Sequence, residues 1–196
     1  MSYKINNSSA LYGAIIIIIV LVFIFILPLI FYADPLSQDL SNRLKPPFWD
    51  DKGNISNFLG TDQLGRDILS RLIIGTRISL FIGISAVLIS FFFGVCIGML
   101  SGYLGGRLDL LIQRIIEIQI SFPFVVIALI VMAFVRATPE KLIIVFGITG
   151  WVIYGRIIRG VTLTIKERQF VEASISLGAS HFHIIKHHIF PNIINT

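Results

Sequence analysis

Apolar and polar positions fall into long blocks along this chain. The first apolar block runs from Ala10 to Phe31, 22 residues without a charge. As a helix it would cover about 33 Å, enough to cross the hydrocarbon of a bilayer. A cleavable leader has an apolar core of only about 7–15 residues followed by small residues, whereas this run ends in Leu27-Pro28-Leu29. A retained helix is therefore the favoured reading. Three further blocks predict spans from about Ile78 to Leu100, from Leu110 to Val135 and from Leu142 to Ile158. Pro123, inside the third, predicts a kink because it removes a helical hydrogen bond. Arg114 and Glu117, three apart on the same helix, are read as a pair at the membrane edge, with an ion or proton path as the sharper alternative. In the fourth span Trp151 and Tyr154 are expected at the interface, with Arg156 and Arg159 reaching toward headgroups. The fold class expected is an all-α integral membrane protein.

Residues 33–75 form the one long polar segment, with Pro35, Pro46, Pro47 and Trp49. It is too short to bury much core and reads as an extramembrane loop. Its end predicts a short interfacial helix capped by Asp67, with Ile68, Leu69, Leu72 and Ile73 on one face and Arg66, Ser70 and Arg71 on the other. The second span carries a periodic feature. Ala86, Ser90, Gly94, Gly98, Gly102 and Gly106 recur at every fourth position, a small-residue stripe of the kind that lets another helix approach closely in lipid. Gly102 and Gly106 are expected in the turn that follows.

Composition supports this picture. Hydrophobic residues make up 55% of the chain and charged residues 14%, with a mean hydropathy of +0.87, against roughly a quarter charged in a soluble domain. The 16 Lys and Arg exceed the 11 Asp and Glu by five. That excess fits contact with anionic lipid headgroups and does not call for nucleic acid. Cys96 is the only cysteine, so no intrachain disulfide forms and a cysteine metal site is not expected.

The most informative stretch is Phe170 to Asn192. It reads as two short helices. The first closes at Gly178 in a left-handed conformation, and the second is capped by Ser180, follows Phe182, Ile185 and Ile189, and stops at Pro191. Small residues Ala173, Ser174, Ser176 and Ala179 keep the junction slim. The result is a knob suited to a groove on a partner. The segment resembles the cytoplasmic coupling loop of ABC importer permeases, whose pattern is Glu-Ala-Ala, three residues, Gly, nine residues, then Ile-x-Leu-Pro. Glu172, Ala173, Gly178 and Pro191 stand at matching positions, while Ser174, His188 and Phe190 replace Ala, Ile and Leu. Leu59 to Leu80 is similar to the segment before the second helix of the C-type permease in peptide and nickel importers, and Gly102–Asp109 and Arg156–Gly160 resemble that family too.

The resemblance implies a multi-pass permease in a bacterial or archaeal plasma membrane. It would be paired with a second permease subunit, seated on two ABC ATPase subunits and served by an extracytoplasmic substrate-binding protein. It implies no cofactor and no catalysis by the chain itself. Glu172 would anchor the docking contact and Gly178 shape the turn, although a surface pair of Glu172 with Arg168 is the plainer role. Family members carry two more spans after the coupling loop, so four of an expected six are present and the chain looks truncated. The implied layout is residues 1–32 as tail and first span, 33–75 as extracytoplasmic loop and 76–196 as an incomplete permease core. Lys and Arg outside the helices divide evenly between the two sides, so charge does not orient the chain and the resemblance does. Dipeptides, longer peptides and nickel remain open as cargo. An autonomous channel or carrier, a structural membrane protein and a non-transporting remnant stand as alternatives.

Gly60-Thr-Asp-Gln-Leu-Gly65 has P-loop spacing, but Arg66-Asp67 stands where nucleotide binding needs Lys and Ser or Thr. His183 and His187 share a helix face and could hold a metal, yet with His181 and His188 they read more simply as a solvated basic face.

Overall fold

The computed structural model describes residues 7–30, 34–134 and 138–194. These residues form helices and turns with one isolated β-bridge, between Thr61 and Asp67. Three helices are long and apolar enough to cross a membrane, and a fourth crossing is made if one bent pair counts as a single span. The chain is an all-α, membrane-embedded protein. It divides into two compact units, 1–81 and 82–196.

The first unit begins with α1, Asn7–Phe25, and a further turn, α2, Leu27–Ile30. The break between them follows from Pro28. A helix would have residue 28 donate its N–H to the carbonyl of Ile24, and proline has none to give. Arg77 supplies the missing donors: its Nε lies 2.9 Å and its Nη2 2.7 Å from the Ile24 oxygen, and its guanidinium sits 5.8 Å from the centre of the Phe25 ring. Where lipid replaces water, an unmet carbonyl is costly, so this contact fixes α1 against the chain around residue 77. Predicted span ends Phe31 and Val135 lie outside the described residues.

The polar segment is held by short side-chain caps. Asp39 caps a 3-10 turn at Leu40–Asn42, and Asn54 caps another at Ile55–Asn57. Phe48 stacks on Phe58 with ring centroids 4.2 Å apart. Thr61 is buried, donating from Oγ1 to the Asn42 carbonyl and accepting from the Lys45 N–H at 2.9 Å. Asp62 gathers the backbone N–H groups of Leu64 and Arg66, the Arg66 guanidinium at 2.8 Å and that of Arg71. Desolvation opposes its ionisation, but these donors outweigh it and bring the carboxyl from 3.8 down to about 2.

Asp67 caps the next helix, accepting from the Ser70 N–H at 2.8 Å and the Ser70 hydroxyl at 2.7 Å. That helix, α3, runs without interruption from Ile68 to Leu104, 37 residues. The separate interfacial helix expected before the second span is therefore its first turns. No proline removes a donor between the two, so the hydrogen-bond ladder simply continues. Leu69 and Ile73 are buried as the apolar pattern suggested, but Ser70 is buried with them and Leu72 is exposed. The helix ends at Gly105-Gly106, both at positive φ of 65° and 58°. Gly102 stays inside it, one turn before the break.

In the second unit α4, Gly106–Ile120, and α5, Phe124–Phe134, meet at 80°. The kink expected at Pro123 is a full break. Ser121 donates its hydroxyl to the Glu117 carbonyl at 2.8 Å and ends the ladder there. α6 spans Pro139–Lys166, well past the predicted Ile158, with Pro139 in its first turn where a missing N–H costs nothing. Trp151, expected at the interface, is buried against Ile112, Ile116 and Val152. Arg159, expected to reach toward headgroups, pairs with Asp109 instead. Arg114 and Glu117 do pair, at 2.7 Å and well exposed.

Two outcomes test this unit-level reading. Arg77→Ala should destabilise the protein by about 1.5–3 kcal/mol. In a Pro28→Ala background, which restores an N–H at that position, the loss should shrink, as measured by unfolding in detergent. Asp62 titrates lower folded than unfolded, so its contribution is complete above about pH 4 and is lost as pH falls toward 2. Trp49 fluorescence should show an acid transition in this window that Asp62→Asn, which has no proton to bind and lacks the contribution at every pH, removes.

Candidate functional site

The small-residue stripe and the basic segment after α6 belong to one assembly in the second unit. Ala86, Ser90, Gly94, Gly98 and Gly102 are all buried. Ser90 donates to the Gly147 carbonyl at 3.0 Å. A Cβ added at Gly94 would lie 2.8 Å from the Trp151 carbonyl oxygen, one at Gly98 3.0 Å from the Gly155 Cα, and one at Gly102 2.9 Å from the Arg159 carbonyl oxygen. Positions rise together on both helices, so α3 and α6 run parallel with backbone against backbone. Contact this close requires residues without a Cβ.

At the shared end of the two helices lies a polar cluster. Asp109 receives Arg159 through both oxygens, each at 2.6 Å, and the Ser101 hydroxyl as well. Lys166 donates to the Tyr103 carbonyl at 2.6 Å, satisfying the last turn of α3, and lies 5.6 Å from the Tyr103 ring centre. The Tyr103 hydroxyl and His181 Nδ1 share a hydrogen bond of 2.9 Å. Ser101 and Asp109 are eight positions apart, but the other pairs join residues 50 to 78 positions apart in sequence, and no spacing pattern marks them in advance.

Upon this end sits the bent segment. α7, Gln169–Ser176, closes at Gly178 with φ of 79°. α8, His181–Ile184, is capped by the Ser180 hydroxyl accepting from the His183 N–H. A π-turn, Ile185–Ile189, leads into α9, Phe190–Ile194. Pro191 was expected to stop this helix, yet the chain stays helical through it. In a regular α-helix its ring would crowd the His187 carbonyl, and the wider π-turn just before it makes room. Ile184 and Ile189 are the buried positions, together with Val171, Ile165 and Tyr103, while Phe182 is 73% exposed. The expected Phe182-Ile185-Ile189 face is thus displaced.

The outward surface carries Glu172, Ala173, Leu177 and Gly178, all exposed. Ser174 is half-buried and bonded to His188 Nε2 at 2.9 Å. No ion pair joins Glu172 to Arg168 among the described residues. His183 and His187 stack face to face with centroids 4.3 Å apart. Among the described residues no three His, Cys, Asp or Glu side chains gather as a metal site would require.

The family described as binding-protein-dependent transport system inner membrane component matches residues 94–196, just over half of the chain. The chain belongs to that family. The match takes in the end of α3, the helices α4 to α6 and the whole bent segment. Relatives extend it further. The dipeptide transport system permease protein DppC of Bacillus subtilis is 37% identical over 187 residues, covering 95% of this chain and 57% of its own length. The oligopeptide transport system permease protein OppC of the same organism is 35% identical over 191 residues, covering 97% and 61%. The glutathione transport system permease protein GsiD of Pectobacterium atrosepticum is 36% identical over 141 residues, covering 72% and 47%. This family member therefore spans about three fifths of the length of the DppC and OppC relatives.

Gly98→Leu should cost about 3 kcal/mol or more, since the new side chain would have to displace backbone. Gly160→Leu, where an added Cβ meets nothing within 4 Å, should leave the same detergent unfolding transition in place.

Proposed function

We propose that this chain is the permease subunit of an ATP-driven importer of short peptides, set in a bacterial inner membrane with several crossings. The observation that carries the reading is the exposed α7–Gly178–α8 turn, rigidly mounted on the parallel ends of α3 and α6. A partner pressing on that turn would move both helices, because Val171, Ile184 and Ile189 share one core with Tyr103 and Ile165. The docking partners are two ABC ATPase subunits, with Glu172 as hydrogen-bond anchor, Ala173 and Ser174 as the slim flank, Gly178 as the turn and Pro191 at the far side. ATP hydrolysis belongs to those subunits. A second permease subunit completes the path, and an extracytoplasmic binding protein delivers the solute. The printed functions of the relatives, transport of dipeptides, oligopeptides and glutathione, support peptides as the solute class.

Gly178→Val should abolish co-purification with the ATPase subunits, because a β-branched residue at positive φ is strained by about 1–2 kcal/mol and would re-aim the turn. Gly178→Asn, which tolerates that conformation, should retain it. Equal recovery of the ATPases with both variants would remove the docking role.

A further inference from the structure

One strip of the second unit is polar where its neighbours are apolar. Gln113 and Glu117 on α4 and Ser121 at its C-cap follow at four-residue intervals, and Arg156 stands on α6. With Ile116 and Ile120 they line a cavity of about 410 Å³. A second cavity, of about 440 Å³, shares Ile120 and Arg156 and runs on past Val152, Ile153 and Ile157. Arg156 is exposed and has no ion-pair partner among the described residues. Arg159, three positions on, is by contrast tied to Asp109. Glu117 meets Arg114 through Oε2 and keeps 60% of its side chain exposed.

An ionised side chain turned toward hydrocarbon is expensive, and such groups in membrane helices gather where water or solute passes. An unpaired guanidinium lining the same cavity as a carboxylate, an amide and a hydroxyl therefore marks a wet surface. The two charges are of opposite sign and belong to different helices. A guanidinium presents paired donors that match a carboxylate, and a carboxylate accepts from an ammonium group.

We propose that the cleft between α4 and α6 is a section of the solute path, in which Arg156 receives the carboxylate end and Glu117 the ammonium end of a short peptide. This deepens the importer reading and rests on it. Glu117 keeps its other oxygen free of Arg114, so a solute ammonium can join that pair while the solute carboxylate meets Arg156, and the zwitterion of a free small peptide is the class that uses both residues.

The test uses the assembled importer in a Cys96→Ser background. Arg156→Cys and, as control, Ile148→Cys, exposed but outside both cavities, are labelled with a charged, membrane-impermeant methanethiosulfonate. Labelling at position 156 should be roughly tenfold faster than at 148 and should slow in the presence of dialanine. In uptake measurements Arg156→Gln should lower dialanine transport by roughly tenfold, the scale of a lost charge-assisted hydrogen bond. Arg156→Lys, which keeps the charge but not the paired donors, should fall between the unsubstituted protein and Arg156→Gln, and both variants should retain ATPase association. Labelling at 156 no faster than at 148 would mean a lipid-facing arginine and overturn the proposal. Undiminished uptake by Arg156→Gln would overturn it as well, leaving the importer reading intact. Failure of the unsubstituted assembly to take up dialanine would instead remove the importer reading and the proposal together.

Discussion

Two parallel helices of this protein approach until backbone meets backbone, and the rest of the second unit is arranged by that contact. In lipid no gain in apolar burial draws helices together, because hydrocarbon tails are as apolar as leucine. Close packing and interhelical hydrogen bonds have to do it. Gly94, Gly98 and Gly102 on α3 leave room for the α6 backbone at Trp151, Gly155 and Arg159, and Ser90 adds its hydroxyl to the Gly147 carbonyl. Because α3 and α6 run the same way, the chain between them has to travel back. The broken pair α4 and α5 makes that return, with Ile112 and Ile116 against Trp151 and Val152.

The same contact brings the ends of α3 and α6 together, and this builds the floor on which the bent segment rests. Tyr103 and Ile165 belong to one core with Val171, Ile184 and Ile189. Around that core the polar groups are paired: Lys166 to the Tyr103 carbonyl, the Tyr103 hydroxyl to His181, Asp109 to Arg159 and Ser101. The bent segment is thus firmly seated inward while its outer side, with Glu172, Leu177 and Gly178, is left uncovered.

In the first unit the governing constraint is the same demand on backbone groups, met differently. Pro28 deprives the Ile24 carbonyl of its helical partner, and Arg77 replaces it from a position 53 residues away. The polar segment manages with local means, through the side-chain caps of Asp39 and Asn54 and the donors gathered by Asp62.

Features that depend on a few neighbouring residues were legible in the chain itself. Crossing hydrocarbon needs only length and apolarity, so the blocks announced the spans. A cap needs one side chain and the N–H groups just beyond it, so Asp67 and Ser180 could be placed. A left-handed turn favours glycine, so Gly178 could be placed too, and the four-residue stripe foretold a close helix contact without naming the helix. What approaches a given residue from elsewhere in the chain was decided by the tertiary structure alone. Trp151 and Arg159 carry the chemistry of an interface but are turned inward by Ile112, Ile116 and Asp109, and Tyr103 and His181 meet across 78 positions. Pro191 stays within a helix because a π-turn precedes it. Residue type sets what a side chain is able to bind, whereas packing sets which partner comes within reach.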